Sequence, residues 1–182
     1  MQPHLIKSTS DSAMTLLGAR GRGTPEALLL SWVAWEGLRV RLVVVGLSLQ
    51  GWRVQDVYAA LSAGRFHHVA HYDNLFRATF GAKPRNAKGV GAQWQSIEQF
   101  RVIRNAYVHG TRGSSPLRLE AGVHLLRDAV MDPSWLSNLS VRTGTETVRL
   151  GDPYRRLTSR RSGARSASEL RSLIAETRPR RE

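Results

Sequence analysis

The sequence of 182 residues contains no cysteine. This absence excludes disulfide bridges and thiolate metal sites, and a reducing cytosol is therefore the compartment we expect. No basic segment followed by an apolar run stands at the N-terminus, so we expect no secretory signal. The cytoplasm is the predicted location.

Long uninterrupted apolar runs are also missing. The most apolar window, residues 28–49, is broken by Glu36, Arg39 and Arg41. Charged residues at such positions favour a buried core helix over a membrane span, and we expect no membrane association.

Lysine and acidic residues are scarce, whereas arginine is abundant. The chain holds 27 Lys and Arg, of which only three are Lys, against 14 Asp and Glu, for a net charge of +13. A basic surface favours an anionic partner, and RNA is the partner we consider first. The alternative is a solvated surface whose arginine content reflects a GC-rich genome.

Apolar periodicity and helix-ending residues predict an all-α fold, a helical bundle of about five helices joined by short loops. Thr24, Pro25 and Glu26 are typical of a helix start, and this first helix should run to about Leu49. The further predicted helices span residues 54–62, 66–80, 92–109 and 117–131.

Three segments are predicted along the chain. Residues 1–23, interrupted by glycines, should form a largely flexible lead-in, and residues 24–131 the helical domain. Residues 132–182 should form a basic C-terminal extension. Within it, two short apolar stretches around Gly144 predict a small β-hairpin, and residues 166–177 a short amphipathic helix. The extension could contact RNA or be a solvated end.

The end of the fourth predicted helix carries the residue types that metal-free RNA cleavage requires. Phe100, Ile103 and Tyr107 form an apolar stripe, and Arg104 and His109 lie off it. Arginine binds phosphate as a permanently charged fork, and histidine exchanges a proton near neutral pH. Five residues on a regular helix place two side chains about 140° apart. A distorted last turn, or pairing between two chains, would have to bring them to one phosphate.

The context of this pair adds information to its spacing. Asn105 directly follows Arg104, and Gly110 ends the helix. Residues 104–109 thus resemble the Arg-x(4–6)-His motif of the HEPN superfamily, small all-helical domains with many metal-independent endoribonucleases. The helix that contains Glu36 and Arg39 resembles the acidic-residue helix that precedes the motif helix in such domains. The resemblance covers about residues 24–131.

The resemblance implies a homodimer in which two motif helices meet and place both Arg–His pairs in one cleft. It also implies a toxin, an antiviral-defence effector or an RNA-processing enzyme, commonly with an antitoxin or other neutralising protein. One subgroup has a tyrosine, modified by a partner enzyme, two residues after the histidine. Here that position is Thr111, a departure from that mode of regulation.

The expected chemistry is attack by the RNA 2′-hydroxyl on the adjacent phosphorus. His109 would act as general base or acid, and Arg104 would stabilise the charge that develops on the phosphoryl oxygens. Asn105 would support them by orienting the phosphate or the imidazole. The predicted RNA-binding residues are Arg101, Arg112 and Arg118. No cofactor or metal is expected.

Other constellations support weaker hypotheses. In the cluster of His67, His68 and His71, the first and last could share a helix face and bind a metal with Asp73 nearby, but we expect surface or helix-packing histidines. The tryptophans stand at helical spacing and are expected in the core, and no glycine-rich phosphate loop is present. The main alternative function is a non-catalytic helical module that binds RNA or protein, with His109 as a packed or capping residue. DNA binding ranks third, behind these two functions, because no helix-turn-helix pattern is evident.

Overall fold

The computed structural model describes residues 2–63, 69–110, 113–157 and 165–179. This part of the chain is mostly helical, with one antiparallel hairpin, and the predicted all-α fold with a small hairpin is confirmed. None of its helices is long and apolar enough to cross a membrane. The α-helices are α1 (Pro3–Arg20), α2 (Pro25–Leu49), α3 (Val54–Ala63), α4 (Val69–Phe80), α5 (Gly91–Val108), α6 (Pro116–Met131) and α7 (Ala167–Glu176), and the strands are β1 (Ser140–Thr143) and β2 (Glu146–Arg149).

Local side-chain caps fix where several helices begin. The Ser115 hydroxyl accepts a hydrogen bond from the backbone N–H of Arg118 at the start of α6. At the start of α7, Ser166 and Glu169 cap each other's backbone N–H groups. These contacts satisfy donors that a helix N-terminus otherwise leaves without partners, and they explain why the predicted starts agree with the observed ones.

The N-terminal segment differs from its prediction. Residues 3–20 form the continuous helix α1 instead of a largely flexible lead-in. Ile6, Ala13 and Leu17 are buried along one face of α1, which packs against α6. Gly18 lies inside the helix, and Gly21 ends it at a φ of 61°. The glycines predict a loop, but packing against α6, which is distant in the sequence, stabilises the helix instead.

Two compact units make up the chain. The first unit comprises residues 1–40 and 92–135, and the second unit comprises residues 41–91 and 136–182. The predicted segment limits after residues 23 and 131 stay a prediction.

The core of the first unit is built around tryptophans. The Trp35 ring lies 4.8 Å from the Trp94 ring and 6.1 Å from the Trp135 ring, measured between centroids. At Gly122 of α6 the side chains of Phe100 and Leu28 approach so closely that a Cβ atom would collide with both. α2, α5 and α6 therefore pack tightly in this unit, and this packing sets the position of the α5 residues of the predicted site.

The second unit holds part of the C-terminal extension through a buried arginine. The Arg41 guanidinium donates to the backbone oxygens of Pro153 and Arg155, at 3.1 and 2.7 Å, and to the Tyr58 hydroxyl at 3.3 Å. The His71 ring lies 3.1 Å from the backbone oxygen of Ile174 in α7. Two buried side chains of the second unit, Arg41 and His71, therefore contact the backbone of the extension at residues 153, 155 and 174.

We expect opposite effects of two glycine-to-alanine substitutions on stability. A Cβ at position 23 would collide with the backbone of α6, at the Pro116 oxygen and the Glu120 nitrogen. Gly23→Ala should lower the free energy of unfolding by about 1–3 kcal/mol. Gly18→Ala, where a Cβ meets no atom, should raise it by about 0.5–1 kcal/mol because alanine favours helix. Urea unfolding measures both, and a neutral Gly18→Ala would contradict an ordered α1.

Candidate active site

The helix α5 presents the predicted catalytic residues at its C-terminal end. Arg104 and Asn105 lie in its last turns, and the backbone N–H of His109 still donates to the Asn105 oxygen at 3.0 Å. Gly110, with a φ of 65°, then ends the helix in the left-handed conformation. The α-helical hydrogen-bond pattern therefore continues up to the N–H of His109, whereas the Gly110 N–H donates to the Tyr107 oxygen, three residues back, at 3.2 Å.

The side chain of Arg104 is held from two directions. Its Nη1 donates to the neighbouring Asn105 Oδ1 at 2.9 Å, and its Nη2 lies 3.8 Å from Glu36 Oε1. The side chain remains 31% exposed. Arg104 is thus oriented by an amide and a carboxylate while its remaining donors are accessible to a ligand.

The carboxylate that pairs with Arg104 is itself oriented by a tryptophan. Trp32 Nε1 donates to Glu36 Oε1 at 2.8 Å, one helical turn away on α2. Because the Trp32 ring is buried, the indole fixes one oxygen of a carboxylate whose side chain is 43% exposed. The helical spacing of the tryptophans predicts only a core position for Trp32. Its spacing of four residues from Glu36 is the signal that could have indicated this hydrogen bond.

A second set of charges lies next to this pair, after Glu36 on α2 and before Arg104 on α5. The buried Arg39 lies 4.0 Å from Glu98 Oε1 and 5.8 Å from the centre of the Trp94 ring. Arg101 Nε lies 2.9 Å from Glu98 Oε2, although its N–H is not aligned for a hydrogen bond. The predicted RNA-binding residue Arg101 therefore already has a carboxylate partner, and its contact with RNA stays a prediction.

His109 is exposed just after the end of α5. Among the described residues, no hydrogen bond or ion pair holds its imidazole. On a regular helix, side chains five residues apart project about 140° apart, and His109 lies one residue after the end of α5. Whether Arg104 and His109 act within one chain or between two chains stays a prediction.

The other predicted site residues are distributed around this region or lie outside the described residues. Arg118 is exposed in the first turn of α6. Arg112, Thr111, His67 and His68 are outside the part of the chain that the structure describes. His71 is buried, and no group of three or more His, Asp or Glu in the described ranges could hold a metal ion.

We expect a small but measurable coupling free energy between Glu36 and Arg104. A partly exposed ion pair contributes about 0.2–1 kcal/mol to stability. A double-mutant cycle with Glu36→Gln and Arg104→Met, followed by urea unfolding, measures it. The exposed pair Arg127 and Asp128, 3.4 Å apart, serves as the control and should give a value near zero. Equal coupling in the two pairs would contradict an oriented Arg104.

The assignment of a function to this chain depends on Arg104, Asn105, Glu36 and His109 themselves. No protein-family model matches the chain, and neither a curated protein nor a solved structure matches it.

Proposed function

We propose that this protein is a metal-independent endoribonuclease of the HEPN type, with Arg104 and His109 as its catalytic residues. One observation carries the proposal: an exposed imidazole without a partner among the described residues follows a pre-oriented arginine on the same helix. A packed or capping histidine would instead be buried or hydrogen-bonded. The net charge of +13 favours an anionic substrate.

Each residue has a role that its surroundings allow. Arg104 presents its remaining N–H donors to the phosphoryl oxygens, which gain negative charge as the 2′-hydroxyl attacks phosphorus. Asn105 accepts from Arg104 and so orients the guanidinium. His109 removes the 2′-hydroxyl proton or protonates the leaving 5′-oxygen.

The ion pair with Glu36 is compatible with phosphate binding. A pair of this exposure is weak, because water screens both charges. An RNA phosphate can therefore compete for Arg104, and the Trp32 hydrogen bond keeps the Glu36 carboxylate in place while it does so.

A homodimer would supply the missing geometry. Val102 is 68% exposed and lies seven residues before His109, so the two side chains share one face of α5. A second copy that covers this apolar residue would bury the face from which His109 projects. The His109 of one chain would then lie close to its partner's motif helix, as the resemblance to HEPN domains implies.

The cellular role that we propose follows from this chemistry. A nuclease that needs no metal is active wherever RNA is accessible, and such an enzyme in the cytoplasm requires control. We therefore propose a toxin or antiviral-defence effector, with an antitoxin or other neutralising protein as its partner.

A second function is favoured by one specific observation. Arg104 already has a carboxylate partner, and the Arg104–Glu36 pair joins α5 to α2. If this contact is only structural, the protein is a non-catalytic helical module that binds RNA or another protein through its basic surface.

The first functional prediction concerns His109. In EDTA, the wild-type protein should cleave single-stranded RNA, and His109→Ala should reduce the rate by at least about 100-fold. The matched control is His124→Ala, because His124 is also an exposed histidine of the first unit. Gel analysis of an end-labelled RNA measures both rates, and unfolding curves verify that the variants fold.

Three other outcomes of this experiment would contradict the proposal. Equal loss in the two histidine variants would indicate an indirect effect. Equal cleavage by wild type and His109→Ala would indicate another site or a contaminant. Tight, salt-sensitive binding without cleavage by the wild type would favour the binding module.

The second functional prediction concerns Val102. Val102→Glu should convert the protein to a monomer and reduce RNA cleavage to the level of His109→Ala, because a charge cannot be buried at the proposed interface. Leu5→Glu, which changes an exposed apolar residue of α1, should leave both properties unchanged. Light scattering gives the mass, and an active monomer would exclude pairing between chains.

A further inference from the structure

The first unit contains a cleft beyond the Arg104–Glu36 pair. It has a volume of about 470 Å³, and its walls come from the end of α1, the starts of α2 and α6, and the end of α5. Pockets that hold small ligands span about 300–1,000 Å³. The residues that matter for what it could bind are Arg20, Arg22, Glu26 and Tyr107.

The charge available to a ligand in this cleft comes from its two arginines. Arg20 and Arg22 are exposed, and neither forms a hydrogen bond or ion pair through its side chain with the described residues. The two helix starts contribute less, because the hydroxyls of Thr24 and Ser115 already accept from N–H groups there. The cleft therefore offers two guanidinium groups to an anion.

One acidic residue opposes this charge. Glu26 lines the cleft, and hydrogen bonds from its own backbone and from Thr24 hold the pKa of its carboxyl below the ordinary value. Arg20 lowers this pKa further by its charge. Glu26 is consequently ionised at neutral pH and weakens the attraction of the cleft for an anion.

The aromatic ring of Tyr107, a residue of α5, forms part of the cleft wall. The Tyr107 hydroxyl donates to the Ser114 oxygen at 3.2 Å and accepts from the Ser114 N–H at 2.7 Å. These two bonds fix the Tyr107 ring relative to the backbone of Ser114. A fixed ring that is only partly buried can stack on a nucleobase.

The cleft lies along the same pair of helices as Arg104. Tyr107 follows Arg104 by three residues, so the two side chains are neighbours on α5. On α2, Glu26 and Glu36 are ten residues apart, which corresponds to about 15 Å. A strand bound in the cleft could therefore continue directly to the Arg104 guanidinium.

We propose that this cleft binds one nucleotide of a single-stranded RNA substrate, with Arg20 and Arg22 on its phosphates and Tyr107 against its base. The proposal deepens the function proposed above and rests on it for the identity of the ligand. Arg20 and Arg22 thus become substrate-binding residues, although the segment that contains them was expected to be flexible.

Binding to a labelled single-stranded RNA tests the proposal without cleavage. All measurements use the full chain with His109→Ala, in EDTA, over a series of salt concentrations. The Arg20→Ala and Arg22→Ala double variant should raise Kd by at least about tenfold. It should also reduce the slope of log K against log salt by about 1.4, since each phosphate contact on a single strand contributes about 0.7.

Two control variants separate the cleft from charge in general. Arg142→Ala with Arg149→Ala removes the same charge from exposed positions of the hairpin and should change Kd much less. Glu26→Gln removes the opposing carboxylate and should lower Kd by about two- to fivefold. A general loss of folding would raise Kd in both cleft variants, so a higher Kd in the arginine variant and a lower Kd in Glu26→Gln must come from the charges themselves.

The possible results distinguish this proposal from the proposed nuclease activity. Equal losses in the cleft and hairpin double variants, or no RNA binding at all, would overturn the cleft. If the wild type cleaves RNA and the Arg20→Ala, Arg22→Ala variant cleaves it with the same KM, the cleft proposal is wrong and the nuclease proposal stands. The expected binding pattern without wild-type cleavage would keep the cleft as an RNA site and reject the nuclease.

Discussion

The orientation of the Arg104 side chain in the first unit depends on one chain of contacts, from Trp32 through Glu36 to Arg104. A buried indole orients a carboxylate, and the carboxylate in turn orients a guanidinium on the neighbouring helix. Partly exposed ion pairs contribute little to stability. These contacts therefore orient the Arg104 side chain more than they stabilise the fold. They determine which donors of Arg104 stay available, and the Asn105 amide restricts them further.

The signals that predicted the fold are local. The Thr24-Pro25-Glu26 start, the cap at Ser115 and the turn at Gly144 each act within a few residues, and the helices and hairpin follow from them. The helix α1 could not be predicted in this way, because its Gly18 disfavours helix and its support comes from α6, about a hundred residues later.

In the candidate site, too, the local features could be predicted from the sequence and the contacts between distant residues could not. The residue types at 104, 105 and 109 could be selected from the sequence, since their spacing and the following glycine are local features. That Glu36 contacts Arg104 could only be suggested by a resemblance, because the two residues are 68 positions apart. That the imidazole of His109 has no partner among the described residues could not be predicted either, because it depends on which residues pack around the end of α5.

Arg41 in the second unit holds the C-terminal extension through backbone oxygens of Pro153 and Arg155. Every amino acid has a backbone carbonyl oxygen, so this contact depends on where the backbone lies and not on which side chains it carries. The arginine-rich extension can therefore change in sequence over evolution while it stays attached to the same guanidinium. Substitution of Arg41 itself has no such freedom, because only a planar group with several donors can bind these oxygens together.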